Sequence, residues 1–338
     1  MKRSSEQLSN KTLECLLKDK SNDYSHIEKE FNCITGQSLM QIKSFSLPKK
    51  WKRMGISIII PTFNSNNSLI RTLSRIENAC IDESGLDVEC IVVDDASLEP
   101  VSELLDYFQD KFELQIIRNA TNMGAGFSRA LGAKNAKNEI LIFLDSDVVP
   151  TRNFFTNHAY IHYSLPDDLI AMASFREKVE SKDERLDTYP LKISGVDTSN
   201  DFRVSTLIKP IWTNNTILHN RKTQLLKETD NWKKFGNNVK CGIWTLPMMG
   251  LTCALSCRKS LIDSVNFQPQ LFKGWGFEDI AMCATMIARG AYIIPNFNSA
   301  VLHVKHHPRS GSEKLKAQEF LRNREQYNRL LNSKPSFL

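Results

Sequence analysis

Four short, β-branched, almost wholly apolar runs constrain this chain more than any other feature. They are "ISIIIPTFN" (56–64), "VECIVVDDAS" (88–97), "FELQIIRN" (112–119) and "EILIFLDSD" (139–147), and each breaks off into polar residues. A run that is apolar on both faces must be covered on both faces, which is the condition of a central strand in a parallel sheet. The segments between them supply the covers. "NSLIRTLSRIENA" sets Leu69, Leu73 and Ile76 at helical spacing with Asn67 or Ser68 at the N-cap position, and "EPVSELLDYFQ" and "GAGFSRALGAKNAK" also read as helices. This alternation predicts a doubly wound, mostly parallel α/β sheet with helices on both faces. Such sheets bind ligands beyond the carboxyl ends of their strands. Here those ends carry Thr62 and Asn64, Asp94 and Asp95, Arg118 and Asn119, then Asp145 and Asp147. Four polar clusters on one sheet edge predict a site there.

The regularity has limits at both sides. Residues 1–53 are polar and lysine-rich with weak helical spacing, and read as a basic helical extension. Beyond Pro150, "NHAYIHYSL" reads as a helix and "LIAMASF" as a strand, while 176–240 is irregular and polar, as expected of a substrate-covering insertion. "FEDIAMCATMIARG", "AYIIP" and "SAVLHV" restore the pattern, and 311–338 is an amphipathic C-terminal helix. The formal charge of +6 is concentrated at the two ends, around a mildly acidic centre, which suits an anionic partner such as a membrane surface or a phosphorylated substrate. No recognition helix, zinc finger or stacking-aromatic pattern accompanies the charge, so nucleic acid is not expected. No stretch is long and apolar enough for a membrane span or a secretory signal. The chain is therefore expected in the cytoplasm, with its basic ends as the point of contact to the inner face of the membrane. The eight cysteines show no CxxC pair and are expected as thiols.

Several residues invite chemistry. Asp145 and Asp147 are two apart on an extended chain and can share one face, which suits Mg²⁺ or Mn²⁺; they can equally cap a following helix. Asp94 or Asp95 could accept a uracil N–H or a ribose hydroxyl, or merely close a turn. In "NMGAGFSRALG", Gly124 and Gly126 open a helix that could receive phosphate, with Arg129 one turn inside. "KGWGFEDIAM" carries Trp275 on a flexible glycine loop and Glu278 and Asp279 at a helix start. The two acids either stabilise that start or include a general base facing a sugar stacked on Trp275. His303 ends a strand, with His306 and His307 nearby, and an imidazole there could complete a metal shell.

In this order the motifs resemble the family 2 glycosyltransferases of the GT-A fold, over about residues 55–310. "GWGFEDIAM" is similar to the GWGxEDxD element of the galactosyltransferase-type and chondroitin-polymerase-type members. The resemblance implies a donor half, 54–150, and an acceptor half, 151–310. It also implies a metal-dependent, inverting transfer from a UDP-sugar of the Gal, GalNAc, GlcNAc or Glc kind to a hydroxyl of a glycan or lipid-linked acceptor. Pro61, Thr62 and Asn64, with Asp94 or Asp95, would line the uridine pocket, and Arg129 would sit near base or phosphate. Asn122, Gly124, Ser146 and Trp275 would also lie on the donor. Asp147 would be the direct metal ligand, Asp145 nearer the ribose, His303 the third ligand, Asp279 the base, and Glu278 a contact to donor sugar or acceptor. Two positions depart from the pattern: Ala130 replaces the asparagine after the helix arginine, and Ala281 replaces the third acid. The competing readings are transfer to a peptide or small metabolite, a sugar nucleotidyltransferase, and a sugar-nucleotide-binding protein without catalysis.

Overall fold

The structure is a computed structural model and describes residues 11–18, 24–39, 41–45, 54–82, 86–102, 105–165, 169–201, 203, 246–265, 267–306 and 311–334. Within these, the strands are β1 (Met54–Thr62), β2 (Leu86–Asp94), β3 (Glu113–Arg118), β4 (Ile140–Leu144), β5 (Val148–Pro150), β6 (Ile170–Val179), β7 (Ala254–Arg258) and β8 (Tyr292–Val304). They form one sheet in the order β3-β2-β1-β4-β7-β6-β8-β5. β3, β2, β1 and β4 run parallel, as the apolar runs require, whereas β7 is antiparallel to both of its neighbours. The registers place Thr62 beside Asp94 and Asp94 beside Arg118. The polar strand ends therefore reach one edge level with each other.

The helices are α1 (Leu13–Lys18), α2 (Ser25–Thr35), α3 (Asn66–Asp82), α4 (Asp106–Gln109), α5 (Ala125–Asn135), α6 (Phe154–Ser164), α7 (Leu246–Met249), α8 (Lys259–Asp263), α9 (Glu278–Arg289) and α10 (Glu313–Asn332). Leu69, Leu73 and Ile76 of α3 are fully buried, as their spacing predicts. Three local expectations change. α3 begins at Asn66, which moves the cap position from Asn67 or Ser68 to Ser65. The helix expected over 99–109 is described as helical only from Asp106, because Pro100 and the turn at 101–102 precede it. Residues 11–35 are not merely polar: Leu13, Leu16, Ile27 and Phe31 are sealed into the main core.

α5 owes its position against the sheet to a missing side chain. A Cβ at Gly132 would lie 2.5 Å from Ile59 Cγ2 and 3.4 Å from Val93 Cγ2, so no larger residue fits without displacing α5. Gly132→Val is expected to destabilise the fold by roughly 2 kcal/mol, the usual range for overpacking a core. Its thermal melt should fall measurably below that of the unaltered chain; an unchanged melt would show that α5 can shift without cost.

A smaller apolar cluster, Val149, Val179, Leu186, Leu191, Val196, Ala300, Leu302 and Val304, lies under the 3₁₀ turns after β6. It fixes which way β8 faces. Leu302 and Val304 point into it, so His303 must point to the opposite face. The insertion expected over 176–240 lies outside the described residues after 203.

Candidate active site

The described strand ends enclose a cavity of about 910 Å³. Pro61, Asp95, Asn122, Gly124, Arg129 and Ser146 are on its wall, as are Asp145, Asp147, Trp275, Glu278, Asp279 and His303. Thr62, Asn64 and Asp94 are not, and each has a structural partner instead. Asp94 accepts the Ser97 amide at 2.9 Å and pairs with Arg118. Asn64 occupies the left-handed region at φ 48° and locks the turn, donating its N–H to Ser97 Oγ at 2.9 Å and accepting the Leu98 amide at 2.8 Å. Thr62 starts a hydroxyl chain through Ser65 to Ser146, at 2.9 and 2.8 Å. Asp95 reaches the cavity but is also a brace, because it accepts the Met123 and Gly124 amides, both at 2.8 Å, and the Asn119 side chain at 2.7 Å. Glycine is needed at 124, where φ is +91° and a Cβ would lie 3.3 Å from the Phe272 carbonyl oxygen.

The capping alternative for Asp145 and Asp147 does not hold, since they lie in a tight turn that leads directly into β5 and the next helix starts only at Phe154. The Asp145 amide donates to the Cys253 carbonyl at 3.2 Å, and Val304 donates to the Asp147 carbonyl at 2.9 Å. From beneath, the Thr72 hydroxyl lies 3.1 and 2.8 Å from the carbonyl oxygens of Ser146 and Val148. These contacts hold the Asp-Ser-Asp backbone between β7 and β8. The β5–β8 register sets Val148 opposite His303, which brings His303 Nε2 to 3.4 Å from Asp147 Oδ1. One donor atom each from Asp145, Asp147 and His303 then lies within 4.8 Å of the others. Two carboxylates and an imidazole at that spacing suit a hard to borderline divalent cation. Burial pulls the His303 imidazole below its usual range, against the opposing pull of Asp147, and neutral imidazole is the ligating form. His306 Nε2 approaches the other oxygen of Asp147 at 3.2 Å. His307 lies outside the described residues.

Arg129, expected near base or phosphate, lies on the cavity wall with three carboxylates around it. Its buried guanidinium lies 2.6 Å from Asp145 Oδ1, 3.1 Å from Asp279 Oδ1 and 3.5 Å from Glu278 Oε1. It thus joins the metal-type carboxylates to the acid pair of α9. That junction requires α5 and α9 to meet closely, and Gly126 allows it: a Cβ there would lie 3.0 Å from Glu278 Cβ. Burial, then the neighbouring Asp279, pushes the Glu278 carboxyl up to about 7, although Arg129 opposes the shift. Its Oε2 is buried without a hydrogen-bond partner among the described residues. Asp279 is also raised by burial, with Arg129 and the Thr252 hydroxyl pulling the other way. Ala281 is fully buried, which accounts for the missing third acid, since a carboxylate there would stand unpaired in the core.

The Trp275 loop is clasped by α10. Asn323 Nδ2 donates to the carbonyl oxygens of Lys273, Trp275 and Gly276 at 3.1, 3.2 and 2.9 Å, and Glu319 accepts the Trp275 amide at 3.2 Å. Gly274, Gly276 and Phe277 all take positive φ to make this turn. Sequence reasoning missed Asn323, Thr72, Thr252 and Arg176. The last donates to His303 Nδ1 at 3.2 Å. Its signal was the alternation of "FREKV", which continues the strand past Phe175.

A mixed sheet with this order and carboxylates at its central strand ends is the GT-A architecture of glycosyltransferases. The chain superposes on GalNAc-T7 with TM-score 0.52 and 14% identity, covering 84% of this chain and 52% of that one. It superposes on S. aureus TarS with TM-score 0.50 and 17% identity, covering 82% of this chain and 43% of that one. The family model for glycosyl transferase family 2 matches residues 57–237, and the chain belongs to that family. Among relatives, chondroitin synthase of Pasteurella multocida is 25% identical over 257 residues, and hyaluronan synthase of the same species 22% over 254. Each match covers 74% of this chain but only about a quarter of the relative, 25% and 24%.

Proposed function

We propose that the protein transfers a hexose from a UDP-sugar to a hydroxyl of a glycan, with inversion and with help from Mn²⁺ or Mg²⁺. The observation that carries this is the placement of the Asp145–Asp147–His303 triad and the Glu278–Asp279 pair in one cavity, joined by Arg129. A solved structure of the same fold supports the donor class: GalNAc-T7 holds UDP, GalNAc and Mn²⁺.

Pro61, Asp95, Asn122 and Gly124 form the wall on which the nucleoside would rest, and Thr62, Asn64 and Asp94 brace that wall from behind. Asp145, Asp147 and His303 would hold the divalent ion, which as a Lewis acid neutralises charge on the departing diphosphate. Asp279, whose charged form Arg129 favours against burial and which Thr252 orients, would take the proton of the attacking hydroxyl. Glu278 would bond a sugar hydroxyl. The Gly274–Asp279 stretch would serve as an acceptor-side element of the chondroitin-polymerase kind, with Trp275 as a platform for a sugar ring.

UDP release measured across a panel of UDP-hexoses, with Mn²⁺ and with EDTA, tests the assignment. One donor is expected to support release with the metal, and chelation is expected to stop it. Release that is equal in EDTA, or absent with every UDP-sugar and acceptor, would overturn it.

A further inference from the structure

We propose that Arg176 and the divalent ion compete for His303, so that loading the ion releases the Arg176 guanidinium to the diphosphate of the donor. The proposal rests on the reading of this cavity as a site for a sugar nucleotide and a metal ion.

Arg176 is held by its backbone and loosely engaged at its side chain. Its amide donates to Asp201 Oδ2 at 3.0 Å, and Asp201 is fixed in turn by the Arg203 guanidinium at 2.7 Å, with both of those side chains shut away from solvent. This anchor sits at the irregularity of β6 between Ser174 and Phe175, where the Ser174 carbonyl accepts Arg203 Nη2 at 2.6 Å. The Arg176 side chain can therefore move without moving the strand. Its guanidinium stands on the same cavity wall as Asp145, Asp147 and His303. Both of its contacts are made by Nη1, to the Cys253 thiol at 3.6 Å and to His303 Nδ1 at 3.2 Å. Arg129 and Arg203 each meet a carboxylate, at 2.6 and 2.7 Å. Arg176 has no carboxylate partner for its guanidinium among the described residues.

The contact with His303 decides where the imidazole proton is. A guanidinium only donates, so Nδ1 is an acceptor and the proton of the neutral ring sits on Nε2, the nitrogen turned to Asp147 Oδ1 at 3.4 Å. An ion held between Asp147 and His303 needs the lone pair of that same Nε2. The ring supplies it and stays neutral only by carrying its proton on Nδ1, and a protonated Nδ1 cannot accept from Arg176. The proton leaves one nitrogen and returns on the other, so none is gained or lost. A ligating imidazole almost always has an acceptor beside its second nitrogen, to take that N–H; His303 has a donor there. Ligation by Nε2 and the Arg176 bond thus exclude each other.

A displaced guanidinium on this wall needs an anion. Its planar fork suits the oxygens of a phosphate, through charge-assisted bonds that a thiol and an imidazole do not offer. In the proposed transfer the diphosphate brings that charge and is held by the same ion. Metal and nucleotide should therefore bind with a coupling that passes through Arg176 and acts equally in both directions.

The test is binding to the full chain, of Mn²⁺ by its paramagnetic resonance signal and of UDP by calorimetry at saturating Mn²⁺. Arg176→Met removes the competitor, so Mn²⁺ alone is expected to bind tighter than to the parent by roughly threefold to tenfold. UDP is expected to bind roughly tenfold more weakly, having lost a charge-assisted contact. A residue that merely braced His303 would give weaker Mn²⁺ binding on removal, and that result, or unchanged UDP binding, overturns the proposal. Should the methionine variant melt early, Arg176→Lys is measured in its place, with the same two shifts expected and a smaller loss of UDP. Nitrogen resonance spectra of isotope-labelled histidine give the direct signature. The His303 signal, assigned through His303→Ala, should change from the Nε2–H to the Nδ1–H form when diamagnetic Zn²⁺ is added to the parent, and a ring that keeps its form overturns the exchange. A parent that binds Mn²⁺ but no UDP would strike the donor reading alone, because the Mn²⁺ and histidine measurements test the exchange without nucleotide.

Discussion

Asp147→Ala is expected to lower the rate of UDP release by about three orders of magnitude, the equivalent of ~4 kcal/mol of transition-state stabilisation from a Lewis-acid ion. Of the three donors in the triad, Asp147 is the most buried and the one that both imidazoles face. Its carbonyl bond to the Val304 amide involves the backbone alone, so the variant should keep its fold and melt near the parent. Binding of Mn²⁺, followed by its paramagnetic resonance signal, should be lost in parallel. Full turnover in the variant would remove the metal assignment.

Asp279→Asn is expected to reduce transfer by roughly 10²–10⁴-fold, the usual contribution of a positioned general base, and transfer at the parent rate would remove the base assignment. Glu278→Gln provides the contrast. Glutamine imitates a protonated carboxyl, and burial pushes Glu278 up to about 7. Below that pH the native side chain is largely protonated, so the variant and the parent should behave alike. As pH rises through 7 the parent acquires a negative charge that the variant lacks, and their rate profiles should separate. Profiles that separate on the acidic side instead would reverse the roles of the two acids.

The sheet was legible because its central strands are apolar on both faces and no other environment tolerates them. The Asp145–Asp147 pair was legible from its spacing, but not its geometry: the chain there is a turn, in which Val148 donates back to the Asp145 carbonyl at 3.3 Å, rather than the extended strand that alternation assumes. The carboxylate partners of Arg129 were not legible, because its position one turn inside α5 says nothing about Asp279, which arrives only when Gly126 lets α9 approach. Asp94 and Asp95 look interchangeable in sequence. Only packing shows that Asp94 is consumed by Arg118 and Ser97 while Asp95 faces the cavity. Thr72 and Asn323 carry no motif at all, since what they hold is backbone contributed by distant segments.

The clasp of Asn323 on the Trp275 loop has a consequence for how the enzyme is born. On the ribosome, the strands bearing Asp145 and the helix bearing Asp279 emerge before the residues that fix the loop between cavity and base. At synthesis rates of roughly 5–20 residues per second, α10 follows a few seconds later. Until then the nascent chain can possess every motif of a transferase and still lack a settled acceptor wall. Leu13, whose amide donates to the Ser333 carbonyl at 3.0 Å, must wait for the same helix. The loop and the N-terminal helix would therefore settle together, once α10 has docked.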